Sequence, residues 1–361
     1  MSLNHRLTVQ LQNEEIYLTL LPGGGHIAEL VLKSNAVNPL WLPPWKTIDP
    51  VDYNPTEHTE YGHGPEAQLL SGIVGHNLCF DYFGPPSDEE ASSGLTVHGE
   101  ASIVNWKTEQ QPGKLIATAE LPQAEMRIER VLKLAPKAQG IVVTETAENL
   151  RGIDRAVGWT EHVTLGPPFL ERGKTVIRMP ATSSKVLEEK FAVAEDRLKT
   201  AAEFHWPMAP LARGGLTDLR NTTEKDVSGA FSTQLMNPSL EQAYFTAYNP
   251  SSETVFGYVW KRSDFPWIGL WEENHNRTHA PWNGRTLTRG IEFGASPMPE
   301  SRRKMIDRGT LFGERCYRWI PARSKVSVEY CLFIAKSSHP VEAVSWDGDI
   351  VKGDDGFEVR I

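Results

Sequence analysis

Apolar and polar residues alternate with a period of two along much of this 361-residue chain, and this pattern constrains the fold most. Such alternation places successive side chains on opposite faces of a strand, so that one face can be buried. Helical periodicity is scarce, and its best candidate is 184–202. Many strands with little helix favour a β-sandwich or a β-barrel over a doubly wound α/β sheet. The predicted strands are 7–11, 16–20, 26–32, 114–121, 125–134, 140–147, 157–165, 244–248, 254–260 and 325–335.

Two stretches, 38–86 and 270–299, interrupt the strands and are rich in Pro, Gly, His and aromatic residues. A long irregular segment in a compact domain is usually functional or disordered, and abundant aromatics argue against disorder. We therefore predict that both stretches form ordered rims over a binding site. No repeat or linker divides the chain, which favours one domain over 1–361. The tryptophans of these stretches and of the adjoining strand end are Trp41, Trp45, Trp267, Trp271 and Trp282.

Charge and composition exclude several classes of partner. The net charge of −9 argues against nucleic acid, which requires a basic surface, and suits a small neutral molecule better. The three cysteines, Cys79, Cys316 and Cys331, are too few and scattered for a disulfide framework. No signal-peptide pattern opens the chain, and no apolar run approaches the about 18 residues that span a bilayer. We expect a cytoplasmic protein, a monomer or homodimer, with no membrane partner.

Three short runs, 94–100, 158–164 and 289–294, look like strands that each carry ionisable residues. In the second run, Glu161 and His162 are consecutive, so on a strand they point to opposite faces. Only one of the two side chains can face a shared cavity. The sequence leaves open which face that is.

Segment 140–165 resembles the aldose 1-epimerase (galactose mutarotase) family. It has an alternating strand that ends in Asn149, a short turn, and a second strand that closes on Thr160-Glu161-His162. The resemblance implies a large antiparallel β-sandwich of the galactose mutarotase type, a supersandwich, that binds a small carbohydrate.

Two further runs carry the same resemblance. Residues 95–100 are similar to the family's His-Gly substrate-binding segment, and 290–297 resembles the late strand that delivers its catalytic glutamate. The resemblance implies that Glu292 is the catalytic base, that His162 is the acid, and that His98 contacts the sugar. The chain differs from the family after 71–75, where an Asn-Arg pair is replaced by Cys79-Phe80, and only Asp264 is a candidate for the sugar-binding aspartate.

The run 270–283 mixes two tryptophans with several polar residues, which is typical of a polar-ligand cleft. A surface loop anchored by tryptophans is the alternative interpretation. The expected substrate-binding residues are His98, His76, Asn77, Glu161, Trp159, Trp271, Glu272 and Trp282.

The expected activity is isomerisation of sugar anomers by general acid/base catalysis, with an imidazole and a carboxylate on opposite sides of the ring. This chemistry needs no cofactor and no metal. Metal binding by His275 and His279 would require a helix that the following proline disfavours. Two alternatives remain, a sugar-binding protein without turnover and a glycoside hydrolase or lyase that pairs Glu292 with Glu272 or Glu273.

Overall fold

The computed structural model describes residue 3, residues 5–193 and residues 196–361. The strands are β1 (Val9–Gln12), β2 (Ile16–Leu21), β3 (His26–Leu32), β4 (His76–Asp81), β5 (Lys107–Gln111), β6 (Lys114–Leu121), β7 (Met126–Lys133), β8 (Gly140–Asn149), β9 (Arg155–Leu165), β10 (Val176–Arg178), β11 (Ala181–Val186), β12 (Glu203–His205), β13 (Met208–Pro210), β14 (Leu216–Asp218), β15 (Ser228–Met236), β16 (Gln242–Asn249), β17 (Thr254–Lys261), β18 (Trp267–Asn274), β19 (Leu287–Gly294), β20 (Thr310–Leu311), β21 (Glu314–Arg315), β22 (Arg318–Ile320), β23 (Lys325–Lys336), β24 (Val344–Asp347), β25 (Ile350–Gly353) and β26 (Glu358–Arg360).

The helices are short. They are α1 (Ala67–Gly72), α2 (Asp88–Ser92) and α3 (Arg302–Arg308), with 3₁₀ turns at Pro50–Asp52, Thr59–Tyr61 and Asp354–Gly356. Within the described ranges, no helix has the length and apolar character needed to cross a membrane.

Two large antiparallel sheets pack face to face around the main hydrophobic core, which confirms the predicted β-sandwich. The first sheet runs β1-β2-β3-β4-β9-β19-β18-β15-β11-β12, with β22 also paired to β9. The second runs β10-β16-β17-β23-β8-β7-β6-β5. Strand β7 of the second sheet alternates buried and more exposed side chains, as its sequence predicts.

The centre of the first sheet is covered on both faces. Strands β4, β9 and β18 bury every residue. One face packs against the second sheet, and the other is covered by aromatic residues of 38–86 and 270–299. A covered outer face allows the sheet to form one wall of an enclosed site.

Most predicted strands are confirmed, and β3 and β6 agree to the residue. The helix expected over 184–202 is wrong, because pairing of β11 with β15 outweighs the weak helical pattern and the other described residues of this range form no helix. The strand expected over 94–100 is also wrong. This segment is a turn, in which His98 has a φ of 67°.

Candidate functional site

Four neighbouring strands of the first sheet align the central residues of the site. Asn77 on β4 pairs with His162 on β9, which pairs with Glu292 on β19, which pairs with Gly269 on β18. Residues directly opposite one another in an antiparallel sheet share a face. Strand pairing therefore brings His162 and Glu292 together although 130 positions separate them in the sequence.

The imidazole of His162 and the carboxyl group of Glu292 are in direct contact, with His162 Nε2 3.0 Å from Glu292 Oε1. On the other side of the ring, the Thr164 hydroxyl lies 3.2 Å from His162 Nδ1. In the tautomer in which Thr164 donates to Nδ1, the ring proton sits on Nε2, the atom that faces Glu292. The imidazole thus presents its proton toward the carboxylate.

Burial shifts the proton affinities of both groups. Burial raises the pKa of Glu292 well above its ordinary value of 4.5. Burial is also the largest cause that lowers the pKa of His162 to about 4. Near neutral pH the imidazole is therefore uncharged, while the carboxylate is a stronger base than an exposed glutamate.

His98 lies beside this pair. Its ring centroid is 5.2 Å from that of His162, and it stacks on Phe83 with centroids 5.6 Å apart. The backbone N–H of Gly84 donates to His98 Nδ1 over 3.1 Å, which leaves Nε2–H as the donor of the neutral ring. Burial, followed by the charges of His162 and Arg277, lowers the pKa of His98 well below 6.5.

His98, His162 and Glu292 line one cavity with a volume of about 840 Å³, which is in the range of small-molecule sites. The structure thus brings together the three residues that the sequence resemblance assigned to catalysis and sugar contact. Apolar side chains that line the same cavity include Phe83, Val97, Phe231, Trp271, Trp282 and Met298.

Tryptophans of the two long irregular stretches meet at this cavity. Trp282 stacks on Trp41 at 6.1 Å between centroids and packs edge-on against Trp45 and Trp271. The indole N–H of Trp282 has no hydrogen-bond partner in the part of the chain that the structure describes. Flat aromatic walls suit the apolar C–H faces of a sugar ring.

Two glycines leave room for the Glu292 carboxyl group. A Cβ atom at Gly290 would lie 2.4 Å from Glu292 Oε1, and one at Gly269 would lie 3.1 Å from Glu292 Oε2. Any larger residue at Gly290 would therefore displace the carboxyl group or distort the strand.

Three residues expected to contact substrate, His76, Trp159 and Glu161, lie between the sheets and not on the cavity wall. Because β9 places His162 toward the cavity, Glu161 and Trp159 face the second sheet. Glu161 accepts hydrogen bonds there from Trp159 Nε1 at 3.1 Å and from Tyr330 at 3.2 Å. It also contacts His76 Nε2 at 2.8 Å and Arg130 at 3.4 Å. These side chains support the strands behind the cavity.

Glu272 and Asn77 also lie outside the cavity lining. Glu272 alternates with Trp271 on β18 and binds Arg197 through two hydrogen bonds of 3.0 and 2.9 Å on the opposite face. Glu273 accepts the backbone N–H groups of Asn276 and Arg277. Neither Glu272 nor Glu273 therefore supplies the second cavity carboxylate that the glycoside hydrolase alternative requires. Asn77 donates to Ser102 over 3.0 Å.

Several cavity residues were not among the individually predicted site residues. Arg277 and Met298 fall in stretches that were predicted to border the site, whereas Phe231 does not. Helix α3 also contributes, since Lys304 and Arg308 reach the rim, where they pair with Glu189 and Glu188. In the sequence, Ser301 was the available signal for this helix, because serine is a preferred N-cap residue.

No group of three or more His, Cys, Asp or Glu side chains in the described ranges is arranged to hold a metal ion. His275 adopts a φ of 52° in the turn after β18, and His279 lies 3.8 Å from Glu66. The two histidines are thus not neighbours on a helix.

No family model matches the sequence, and no curated protein matches it. Several solved structures, however, match the structure of this chain. A provisionally assigned aldose 1-epimerase from Klebsiella pneumoniae superposes with a TM-score of 0.64 over 90% of this chain and 77% of its own, at 14% identity. The chain has the galactose mutarotase-like fold.

Two more structures show the same likeness. A protein from Synechocystis gives a TM-score of 0.61 at 14% identity over 92% of this chain and 96% of its own. A galactose mutarotase-like protein from Clostridium acetobutylicum gives a TM-score of 0.58 at 14% identity over 93% of this chain and 97% of its own. At this identity the galactose mutarotase-like fold is shared, whereas the reaction has to be argued from the site.

Proposed function

We propose that this protein is an aldose 1-epimerase-like isomerase, which binds a carbohydrate and interconverts its α and β anomers. The observation that carries the proposal is the buried contact of 3.0 Å between His162 Nε2 and Glu292 Oε1 on the wall of an 840 Å³ cavity. A base and an acid are what anomer exchange needs.

In the proposed reaction, the Glu292 carboxylate removes the proton of the anomeric hydroxyl, and His162 Nε2–H gives its proton to the ring oxygen. The proton taken up by Glu292 replaces it on Nε2 across their 3.0 Å contact, so that the imidazole stays neutral. The bond between C1 and the ring oxygen breaks, which yields an open-chain aldehyde. Rotation about the C1–C2 bond and reversal of both proton transfers give the other anomer. No atom or electron is exchanged with a cofactor.

The positions of His162 and Glu292 favour these two proton transfers. The anomeric hydroxyl and the ring oxygen are bonded to the same carbon, so their acid and base must lie close together. The two groups lie side by side on adjacent paired strands, so both can reach the anomeric end of one sugar. His98 Nε2–H is the nearby donor that would orient a sugar hydroxyl.

Wild-type protein is expected to accelerate the α/β exchange of at least one aldose, as measured by magnetisation-exchange NMR on glucose, galactose, xylose and arabinose. Protein whose active site is blocked by a tight competing sugar alcohol serves as the control. Chemical-shift changes on binding without faster exchange of any aldose would refute the isomerase and favour the sugar-binding alternative. No binding at all would refute both.

Gly290→Ala is expected to lower kcat by roughly 10- to 100-fold, because a reacting group displaced by about 1 Å can lose this much rate. The new methyl group would meet Glu292 Oε1 at 2.4 Å and Trp271 Cβ at 2.9 Å. The matched control is Gly152→Ala, where a Cβ atom meets nothing within 4 Å. Unchanged kcat in a folded Gly290→Ala variant would contradict the proposed role of the Glu292 carboxyl position.

A further inference from the structure

The loop between β18 and β19 delivers a cation to the cavity. Arg277 lines the cavity, and its guanidinium carbon lies 4.7 Å from the ring centroid of Trp282 and 5.6 Å from that of Phe191. Stacking on aromatic faces holds a guanidinium group in a fixed plane. Arg277 is therefore oriented before any ligand binds.

The guanidinium group retains its donors. Its contacts with carboxylates are long, at 3.6 Å from Nε to Glu273 Oε2 and 3.8 Å from NH1 to Glu66 Oε2. Among the described residues, none accepts a hydrogen bond from this guanidinium group within 3.5 Å. Glu273 instead uses its oxygens to accept the backbone N–H groups of Asn276 and Arg277. A planar group with free N–H donors in a cavity wall can bind two oxygens of one ligand.

Charge indicates which oxygens these are. The positive charge of Arg277 is already balanced by Glu273, which is buried, and by Glu66. Two other cations at the rim are also paired, Lys304 with Glu189 and Arg308 with both Glu188 and Glu300, whereas Lys190 donates to the carbonyl oxygen of Val193. An anionic ligand would meet more carboxylates than unpaired cations, whereas hydroxyl oxygens accept hydrogen bonds without a new charge.

We propose that Arg277 determines substrate specificity by donating hydrogen bonds to hydroxyl oxygens of a neutral sugar, away from its anomeric carbon. This inference rests on the proposed isomerase function. Arg277 contributes binding and not chemistry, because proton transfer belongs to Glu292 and His162. Its contacts are made equally in the ground state and the transition state, so its loss raises KM and leaves kcat nearly unchanged.

The test compares wild type with Arg277→Met and Arg277→Lys, using the aldose that wild type exchanges fastest. KM is expected to rise roughly 10- to 100-fold in both variants, with kcat within about threefold of wild type. Arg277→Lys keeps the charge but not the planar fork. Arg285→Met, an exposed arginine of the same loop, is the matched control and is expected to keep the wild-type KM.

Deoxygenated sugars separate recognition by Arg277 from a structural role. Removing the hydroxyl that Arg277 binds should raise KM for wild type but have little further effect on either variant, whereas a structural role would leave the two losses additive. If Arg277→Met does not fold, Arg277→Lys gives the same comparison. Wild-type KM in both folded variants, or fully additive losses for every deoxy sugar, would overturn the inference.

The ligand class is tested with glucuronate and glucose 6-phosphate beside glucose. Wild type is expected to favour the neutral sugar in kcat/KM by roughly tenfold or more, since like charges meet in a low-dielectric cavity. A preference for either anion would overturn the inference that the ligand is a neutral sugar. Wild-type protein that exchanges no aldose but loses sugar affinity in Arg277→Met would refute the isomerase alone, and a protein that binds no sugar would refute both proposals.

Discussion

Replacing Glu292 by glutamine is expected to lower the rate of anomer exchange by roughly 10²- to 10⁴-fold, the usual contribution of a positioned general base. Glutamine occupies nearly the same volume in the space between Gly269 and Gly290 but cannot accept the anomeric proton. Because the amide can still hydrogen-bond to His162, we expect the fold and sugar binding to persist. The loss should therefore appear in kcat.

Exchange rates of wild type, Glu292→Gln and Glu189→Gln provide the measurement. Glu189 also lines the cavity but lies at the exposed rim, where it pairs with Lys304, so its variant should retain activity. His162→Ala should lose activity to a similar degree, since the acid and the base act in one step. Full activity of Glu292→Gln would show that another group removes the proton.

The pH dependence of activity gives a second measurement of the role of Glu292. Burial raises the pKa of Glu292 well above 4.5, and only the ionised carboxylate can act as the base. As the pH falls through this raised pKa, the carboxylate takes up a proton and activity is lost. The acid limb of kcat/KM is therefore expected above pH 4.5, and it should be absent from the residual activity of Glu292→Gln.

Arg130→Met is expected to lower the free energy of unfolding by about 3–5 kcal/mol, the usual cost of leaving a buried charge without its partner. Arg130 on β7 is fully buried between the sheets. It donates hydrogen bonds to Glu145 on β8 and, over 3.4 Å, to Glu161 on β9. Methionine fills a similar volume but leaves two buried carboxyl groups with no cation.

The matched control is Arg127→Met, three residues earlier on the same strand. Arg127 pairs with Glu148 and Glu120 at the surface, with 45% of its side chain exposed, so its loss should cost only about 0–1 kcal/mol. Urea denaturation of both variants measures the difference. Equal losses would show that the buried cluster contributes no more than a surface ion pair.

The loss of unfolding free energy in Arg130→Met should also depend on pH. In the wild-type fold, burial is the largest cause that raises the pKa of Glu145 to about 7. A folded-state pKa above the unfolded value means that stability is present at low pH and is lost as the pH rises through the folded pKa. Removing the nearby cation raises this pKa further, so the deficit of the variant should be larger at pH 8 than at pH 5.

The strands could be predicted from the sequence wherever one face is buried and the other is not. Residues 114–121 alternate because their outer face meets solvent, and β6 has these bounds. Strand β4 was missed because all six of its residues are buried, so that no alternation marks it. The helix predicted over 184–202 was wrong for a different reason, since pairing with β15 is a long-range contact that local periodicity does not encode.

The candidate site, too, could be predicted from the sequence only in part. His98, His162 and Glu292 were found through short runs that resemble a known family, and the structure brings them to one cavity. The orientation of β9 could not be predicted, because Glu161 and His162 are both buried and ionisable. Arg277 belongs to the run 270–283 that predicted a polar-ligand cleft, but its own role depends on where a turn at the end of β18 directs one side chain.

The proposed acid, His162, and the proposed base, Glu292, project from two adjacent paired strands, so the spacing of the sheet sets their separation. The cavity walls opposite them come from 38–86, from the loop after β18 and from α3, none of which fixes that separation. Under the proposed function, reaction chemistry and ligand preference are thus encoded in separate parts of the chain. Natural variation or laboratory selection in these loops could therefore retune which sugar is accepted while the proton-transfer geometry is inherited unchanged.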